Sequence, residues 1–282
     1  MKRSILITGC SSGIGLEAAK TLKSRGYQVF ATARKPADVE KLNSLGLKAI
    51  QLDVTSNESM NSALHEILKI TDGRLDGLFN NAGFGIPGAV EDLSRQALHA
   101  QFEANLFGPF ELIRKIIPVM RKQQSGRIIQ SSSVLGLIVL PFRGAYCASK
   151  FAMEALSDTL RLELTGTNIT VSLIEPGPIV SHFRENAYNA FQKYINVEES
   201  AFKDLYEITK SRLSQKESVV PFTLPASAVV KKLLHALESH HPKKRYYVTL
   251  PTYTFAYLKR FLPVTLLDKI LLKVSAREYQ QK

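Results

Sequence analysis

Tyr146 and Lys150 stand four residues apart in AYCASK (145–150), with only small residues between them. On a helix, positions four apart lie one above the other on a single face, so both groups can enter one pocket. A tyrosine with an unperturbed pKa of about 10 is a poor acid or base at neutral pH. An adjacent cation favours the phenolate and can lower that value by about 1–3 units. The pair is either a tuned acid/base or a surface contact between a phenol and an ammonium. Ser133 closes GRIIQSSS (126–133), a strand pattern that ends thirteen residues before Tyr146. A strand end and the helix after it face the same crevice in an open α/β sheet, so this hydroxyl can converge on the phenol.

A second group of residues is suited to a nucleotide. TGCSSGIG (8–15) directly follows an apolar strand and opens a helix. Glycines there let the backbone approach a pyrophosphate, and the helix N-terminus supplies N–H groups and the positive end of a dipole. Gly9, Ser11, Ser12, Gly13, Ile14 and Gly15 are the binding candidates; a plain strand–helix turn is the alternative. At the end of the second strand an acid would hold a ribose 2′-OH. ATARKP (31–36) instead offers Arg34 and Lys35 and no carboxylate. Two cations fit a 2′-phosphate, which predicts NADP(H) over NAD(H), against a merely solvated basic loop. Asp53, in LDVT after the third strand, can accept from an adenine amino group. NNAG (80–83) ends the fourth strand. Asn81, Ala82 and Gly83 can turn beside the cofactor, lock the strand end, or both. Three serines at 131–133 lack the G-x-S-x-G context of a hydrolase nucleophile. The six histidines show no ligand spacing, so no metal is expected.

The elements that must carry these groups alternate. SILIT (4–8), QVFATA (28–33), KAIQLDV (48–54), LDGLFNNAG (75–83), GRIIQSSS (126–133) and NITVSLIEPG (168–177) read as strands. Helical patterns separate them at the segment through EAAKTLKSRG, at 39–46, 56–68, about 94–107, 110–122 and 145–164. Strands buried on both faces, each followed by a helix, mean a parallel, doubly wound sheet with ligands at the carboxyl ends of its strands. After Pro178 the rhythm breaks. Residues 181–224 show no strand pattern, and a helix (226–239) and a strand, RYYVTL (245–250), close the fold as its seventh strand.

Length and composition agree. The chain has 282 residues, of which 45% are hydrophobic, enough for one large α/β domain. Two cysteines, Cys10 and Cys147, are too few for a disulfide scaffold and suit a reducing cytoplasm. No stretch approaches the roughly 20 apolar residues of a membrane span, and the basic N-terminus is too short for a signal peptide. A cytoplasmic protein is expected. The net charge of +12 raises nucleic acid or an anionic membrane as partners. No nucleic-acid motif accompanies it, so nucleic acid is not expected.

TGCSSGIG, NNAG, Asn105, Ser133 and Tyr146-x-x-x-Lys150, in this order and spacing, resemble the short-chain dehydrogenase/reductase family over about residues 3–182. ITGCSSGIG, ATARKP, NNAGFG and SLIEPGPI look closest to its hydroxysteroid- and retinol-dehydrogenase-like subgroup, which includes bacterial NADP-dependent aldehyde reductases. The resemblance implies a Rossmann-type catalytic domain over 1–250, with a substrate lid at about 181–224 and an apolar-basic extension at 251–282. The implied sheet is mostly parallel and seven-stranded, with helices on both faces. It makes Tyr146 the general acid in reduction. Lys150 tunes the phenol and holds the nicotinamide ribose, Ser133 polarises the carbonyl, and Asn105 holds a water linking Lys150 to solvent. Ala145, Ala148 and Ser149 would let the helix approach cofactor and sheet, and Cys147 packs. PGPIVS (176–181) matches the family's proline–glycine turn, adding Pro176, Gly177, Ile179 and Ser181 as cofactor contacts. Ser181 stands where threonine is common. Relatives commonly assemble as homodimers or homotetramers through the helices after the fourth and fifth strands.

At the substrate end, Phe183, Tyr188, Phe191, Tyr194 and Phe202, with LGLIVLPF (135–142), offer apolar walls. They suit a medium or long aldehyde, or a retinoid- or steroid-like ketone; a rigidly packed lid or subunit contact is the alternative. In the tail, Leu267, Ile270, Leu271 and Val274 form a helical stripe with Lys269 and Lys273 off it. This helix either lies on an anionic membrane surface, as a peripheral contact, or folds over the substrate mouth or another subunit. Three functions compete: an NADPH-dependent carbonyl reductase, an oxidative sterol or retinol dehydrogenase, and a non-catalytic NADP-binding sensor. Retention of Ser133, Tyr146 and Lys150 favours catalysis.

Overall fold

The computed structural model describes residues 2–214 and 221–280; residues 215–220 of the expected lid, Met1 and residues 281–282 lie outside the described residues. SILI, buried along its whole length, forms β1 (Ser4–Ile7). It is followed by β2 (Gln28–Ala33), β3 (Lys48–Gln51), β4 (Gly77–Asn80), β5 (Gly126–Ser131), β6 (Ile169–Glu175) and β7 (Arg245–Tyr247). Together they make one seven-stranded sheet in the order β3-β2-β1-β4-β5-β6-β7, and every pairing is parallel. The chain winds outward from β1 through β2 to β3, then returns to place β4 on the other side of β1. That reversal opens a crevice at the carboxyl ends of β1 and β4, the place where such sheets bind ligands.

Parallel strands need crossovers, and helices supply them. They are α1 (Gly13–Ser24), α2 (Pro36–Ser44), α3 (Asn57–Ile70), α4 (Arg95–Phe102), α5 (Gly108–Lys122), α6 (Gly144–Glu163), α7 (Phe183–Tyr194), α8 (Lys203–Ser214) and α9 (Ala226–Glu238), with α10 (Leu250–Phe261) and α11 (Val264–Gln280) after the last strand. Alternate residues of β1 divide between two cores. Ile5 and Ile7 pack with Leu22 and Leu233 of α1 and α9. Leu6 packs with Ile67 and Ile116 of α3 and α5. Each buried Ile or Leu contributes roughly 1.5–3 kcal/mol, so these two layers hold the strand ends that bear the site.

One region differs from the sequence expectation, and a second, left open there, takes a definite form. The helices expected at 94–107 and 110–122 are almost continuous: α4 runs into a π-helical turn, Glu103–Phe107, and then α5. Gly108-Pro109 reads as a break. Pro109, however, falls in the first turn of α5, directly where the π-helical turn gives way to it. A Cβ on Gly108 would lie 2.0 Å from the Val54 carbonyl oxygen, so the glycine serves close packing rather than a stop. The segment after Pro178 contains helices α7 and α8. Ala187, Ala190 and Phe191 of α7, with Tyr206 and Leu213 of α8, bury a third small core against Ile86, Ala89 and Ala97. Tail helix α11 packs on α8. Leu271 is buried there and Leu267, Ile270 and Val274 are half-buried, so the stripe read from the sequence faces the protein.

Candidate active site

The glycine turn after β1 and the NNAG turn after β4 are pressed together. Gly9 has φ +71°, and a Cβ there would lie 2.8 Å from Cα of Ala82; one on Gly15 would lie 2.2 Å from the Gly9 carbonyl oxygen. Both positions exclude a side chain. Thr8 Oγ1 accepts from the N–H groups of Asn81 (2.9 Å) and Ala82 (3.0 Å), and Asn81 Nδ2 donates to the carbonyls of Thr8 and Gly9 at 3.0 and 3.1 Å. Asn81 thus locks the strand ends. Helix α1 opens here with Ser12 as its N-cap, whose side chain makes no capping bond. Its first-turn N–H groups, at Gly13 and Ile14, meet the crevice beside Ser11 at the positive end of the helix, a fit for a pyrophosphate. Ser181 closes over this turn: a Cβ on Gly13 would lie 3.1 Å from that of Ser181.

The other cofactor candidates line the same edge. Arg34 and Lys35 directly follow β2 and are exposed. Asp53 is half-buried, and its Oδ1 accepts from Thr55 N–H (2.9 Å) and Oγ1 (2.8 Å), an Asx turn that fixes the carboxylate. Pro176 and Gly177 follow β6. The Pro176 carbonyl accepts from Val134 N–H at 2.8 Å, and Gly177 lies so close to Thr249 that a Cβ would approach its Oγ1 to 2.2 Å. Ile179 pairs with Leu224 in an isolated parallel bridge.

At the end of β5 the Ser133 hydroxyl lies near enough to the Tyr146 phenol to ease a charge on it, and it accepts from Leu135 N–H at 3.1 Å. Phe183 of α7 meets the Tyr146 ring edge-on, centroids 5.4 Å apart. The Lys150 ammonium is buried, donates to the Ser131 carbonyl at 2.7 Å and lies 5.7 Å from the Tyr146 ring centroid. Burial pushes the Tyr146 phenol up to about 12, against the lowering effect of Ser133. Burial also pushes Lys150 down to about 8, opposed by the charge of Glu154. The sequence reading expected the cation to lower the phenol; desolvation is the larger effect here, and the ammonium is engaged by a backbone carbonyl.

A family model described as short chain dehydrogenase matches residues 3–191. The chain belongs to the short-chain dehydrogenase family. It is 47% identical to the uncharacterized oxidoreductase YbbO of Escherichia coli K12, over 96% of this chain and 94% of that one. Human retinol dehydrogenase 8 is 41% identical over 64% of this chain and 60% of its own length. Among solved structures, a short-chain dehydrogenase from Streptomyces avermitilis aligns with TM-score 0.76 and 26% identity, covering 99% of this chain and 96% of that one. An actinorhodin polyketide ketoreductase solved with NADPH aligns with TM-score 0.71 and 25% identity, covering 88% and 95%.

Within this short-chain dehydrogenase, the Asn105 side chain, expected to hold a water, also binds protein neighbours. Its Oδ1 accepts from Phe84 N–H at 3.1 Å, and its Nδ2 donates to the Phe84 carbonyl (2.9 Å) and Ser149 Oγ (3.1 Å). The side chain therefore ties the loop after NNAG to α6. Gly83 lies against it: a Cβ there would come 3.0 Å from Asn105 Oδ1 and 4.0 Å from Lys150 Nζ. Ala148 is exposed, so only Ala145 and Ser149 serve close packing of α6, and Cys147 is buried as expected of a packing residue. Gln101 escaped the sequence reading. Fully buried, it accepts from Ile86 N–H at 2.8 Å and donates to the Phe84 carbonyl at 2.7 Å. Its signal was the i, i+4 spacing to Asn105, which puts two amides on one helix face.

Proposed function

We propose that this protein is an NADP(H)-dependent oxidoreductase that reduces an apolar aldehyde or ketone to the alcohol. The observation that carries the reading is the half-buried Tyr146 phenol, placed beside Ser133 at the end of β5 and beneath the aromatic ring of Phe183. A protonated phenol suits the acid of a reduction. A nicotinamide, when bound, supplies a hydride. The glycine turn would hold its pyrophosphate, and Arg34 and Lys35 its 2′-phosphate. Asp53 would take the adenine amino group, and Pro176, Gly177, Ile179 and Ser181 would flank the nicotinamide end. The similarity to a ketoreductase solved with NADPH supports a nicotinamide; the cations after β2 favour the phosphorylated form.

The chain's own residues complete the reaction. Ser133 donates to the carbonyl oxygen and polarises it. Tyr146 gives that oxygen its proton as the carbonyl carbon is reduced, leaving a phenolate that the Lys150 ammonium stabilises. Asn105 and Gln101 fix the loop 84–86 against α6, which keeps the acid oriented. The similarity to a retinol dehydrogenase favours a second reading, in which the same residues oxidise a lipophilic alcohol. Consumption of NADPH with aldehydes and ketones of graded chain length, wild type beside Tyr146→Phe, tests the assignment. Turnover that rises with chain length and falls at least ~10²-fold in the variant is expected. NADPH binding without turnover of any carbonyl or alcohol would leave a cofactor sensor instead.

The reading extends to partners. Leu98 and Phe107 near α4 and α5, and Leu156 and Leu162 on α6, are exposed apolar residues suited to a homodimer or homotetramer. For peripheral membrane contact the candidate moves from α11 to α10. Leu250, Tyr253, Tyr257 and Phe261 share one helix face and are 60, 40, 61 and 74% exposed, with Arg260 beside them. No described helix is long and apolar enough to cross a membrane. An exposed aromatic row with flanking cations instead suits the surface of an anionic bilayer. Co-flotation with phosphatidylserine vesicles that is lost in Tyr257→Asp/Phe261→Asp is the expected result; no flotation at low salt refutes it.

A further inference from the structure

Behind Lys150 lies a buried cluster of charges that the proposed reaction does not use. Glu154 follows Lys150 by one turn of α6, Glu175 ends β6 directly before Pro176-Gly177, and Arg245 opens β7. Arg245 Nη1 donates to Glu175 Oε1 at 2.7 Å and to Glu154 Oε2, and its Nη2 donates to Asp158 Oδ2. Arg161 meets Asp158 from the other side at 3.0 Å. Glu154 and Glu175 are 6% and 0% exposed. The remaining groups facing them are Lys150, Tyr247 beside Glu175, and Lys259 of α10, which lies 4.4 Å from the Phe151 ring centroid.

This cluster touches each segment that bears the site. Oε1 of Glu154 lies against Gly136, where a Cβ would come 3.2 Å from it and 2.7 Å from Ser132 Oγ, the residue next to Ser133. Neither Glu154 Oε1 nor Ser132 Oγ makes a geometrically well-formed hydrogen bond, although the two groups are near enough for the serine to ease the charge on the carboxylate. Glu154 is thus a buried acid with one oxygen clamped by Arg245 and the other turned toward the end of β5, whose Ser131 carbonyl receives Lys150.

We propose that Glu154, clamped by Arg245 one helical turn from Lys150, is a positioning residue whose carboxylate keeps the Lys150 ammonium charged, while one proton is shared among the carboxylates that meet at the Arg245 guanidinium. The proposal rests on the reading of Lys150 as a group that holds the cofactor. An ammonium buried this deeply loses its proton readily unless an anion opposes the desolvation, and Glu154 supplies that opposing charge one helical turn away. Burial and the neighbouring Glu154 charge raise Glu175 to about 8, against the pull of Arg245.

The test is the dissociation constant of NADPH against pH, read by cofactor fluorescence on the full chain, for wild type, Lys150→Met, Glu154→Gln and Glu154→Asp. Wild type is expected to lose affinity as pH rises through about 8. Lys150→Met should be weak and lack that limb. Glu154→Gln should move the limb about one pH unit lower, a tenfold change at fixed pH on the limb, and Glu154→Asp, which keeps the charge, should restore it. A limb in Glu154→Gln that coincides with wild type overturns the proposal, because a merely structural glutamate would weaken binding equally at every pH. A wild-type limb retained in Lys150→Met overturns the reading of Lys150, and the proposal with it. Where Glu154→Gln does not fold, carboxyl carbon NMR of the unmutated protein decides. A glutamate titrating near 8 supports the shared proton, and all carboxyls titrating near about 4 overturn it.

Discussion

Tyr206→Phe isolates what fastens α7 and α8 to the rest of the fold. Tyr206, on α8, is 1% exposed. Its hydroxyl accepts from Ala89 N–H at 2.8 Å and donates to Asp92 Oδ2, which also takes the Ser200 hydroxyl at 2.6 Å. Its ring packs edge-on to Phe191 and Phe142, centroids 5.3 and 6.0 Å apart, contacts that phenylalanine keeps. The substitution therefore removes two hydrogen bonds and little else. Ala89 N–H is left buried without its acceptor, a loss of about 1–3 kcal/mol. Asp92 is half-buried and retains Ser200, so its share is toward the low end for a charged partner, about 1 kcal/mol. The expected total is about 2–4 kcal/mol. Because these bonds join α8 to the loop before α4 and not to the sheet, the loss should appear as local opening. Amide hydrogen exchange in α7 and α8 should speed up roughly 30- to 900-fold, with β1, β4 and β5 unchanged. Exchange in the two helices within about threefold of wild type would refute the anchor, as the fold-change follows directly from the lost bonds. Equal acceleration throughout the sheet would show instead that the two helices and the sheet open as one unit.

Three further outcomes follow from particular contacts. Arg34→Asp should weaken NADPH binding far more than NADH binding in parallel titrations; an equal fall would make Arg34 a fold residue. Gly15→Ala places a methyl 2.2 Å from the Gly9 carbonyl oxygen, so cofactor affinity should fall at least ~10-fold, since overpacking of this kind costs about 1–3 kcal/mol; unchanged affinity would show that the turn relaxes freely. Glu175 has a folded-state pKa raised from 4.5 to about 8, so the folded chain holds its proton more tightly than the unfolded one. Stability is therefore fully favoured below the unfolded value and falls as pH rises between them, by at most about 1.4 kcal/mol per unit. Glu175→Gln should flatten the slope of urea-unfolding free energy between pH 5 and 8, and a slope identical to wild type would contradict this sign.

How much of this was legible in the sequence depended on the range of the interaction behind each feature. β1 and its glycine turn were readable because burial period, turn chemistry and helix start all act within about a dozen residues. Ser133, Tyr146 and Lys150 were found for the same reason: a strand end and one helical turn fix their approach. Asn105 was readable as a residue but its protein contacts were not, since its partners Phe84 and Ser149 lie 21 and 44 positions away. The π-helical turn around it was hidden behind Gly108-Pro109, a pair that signals a break unless the close approach of Val54 is known. Tyr146 shows the limit most clearly. Spacing to Lys150 predicts a lowered phenol, and that reasoning is sound for two groups in water. Enclosure by Phe183, Gly85 and the end of β5 reverses the sign. A residue type and a spacing specify which groups can meet. The medium in which they meet is assembled from several distant elements, and it decides whether the phenol serves as a stored proton or as a waiting base.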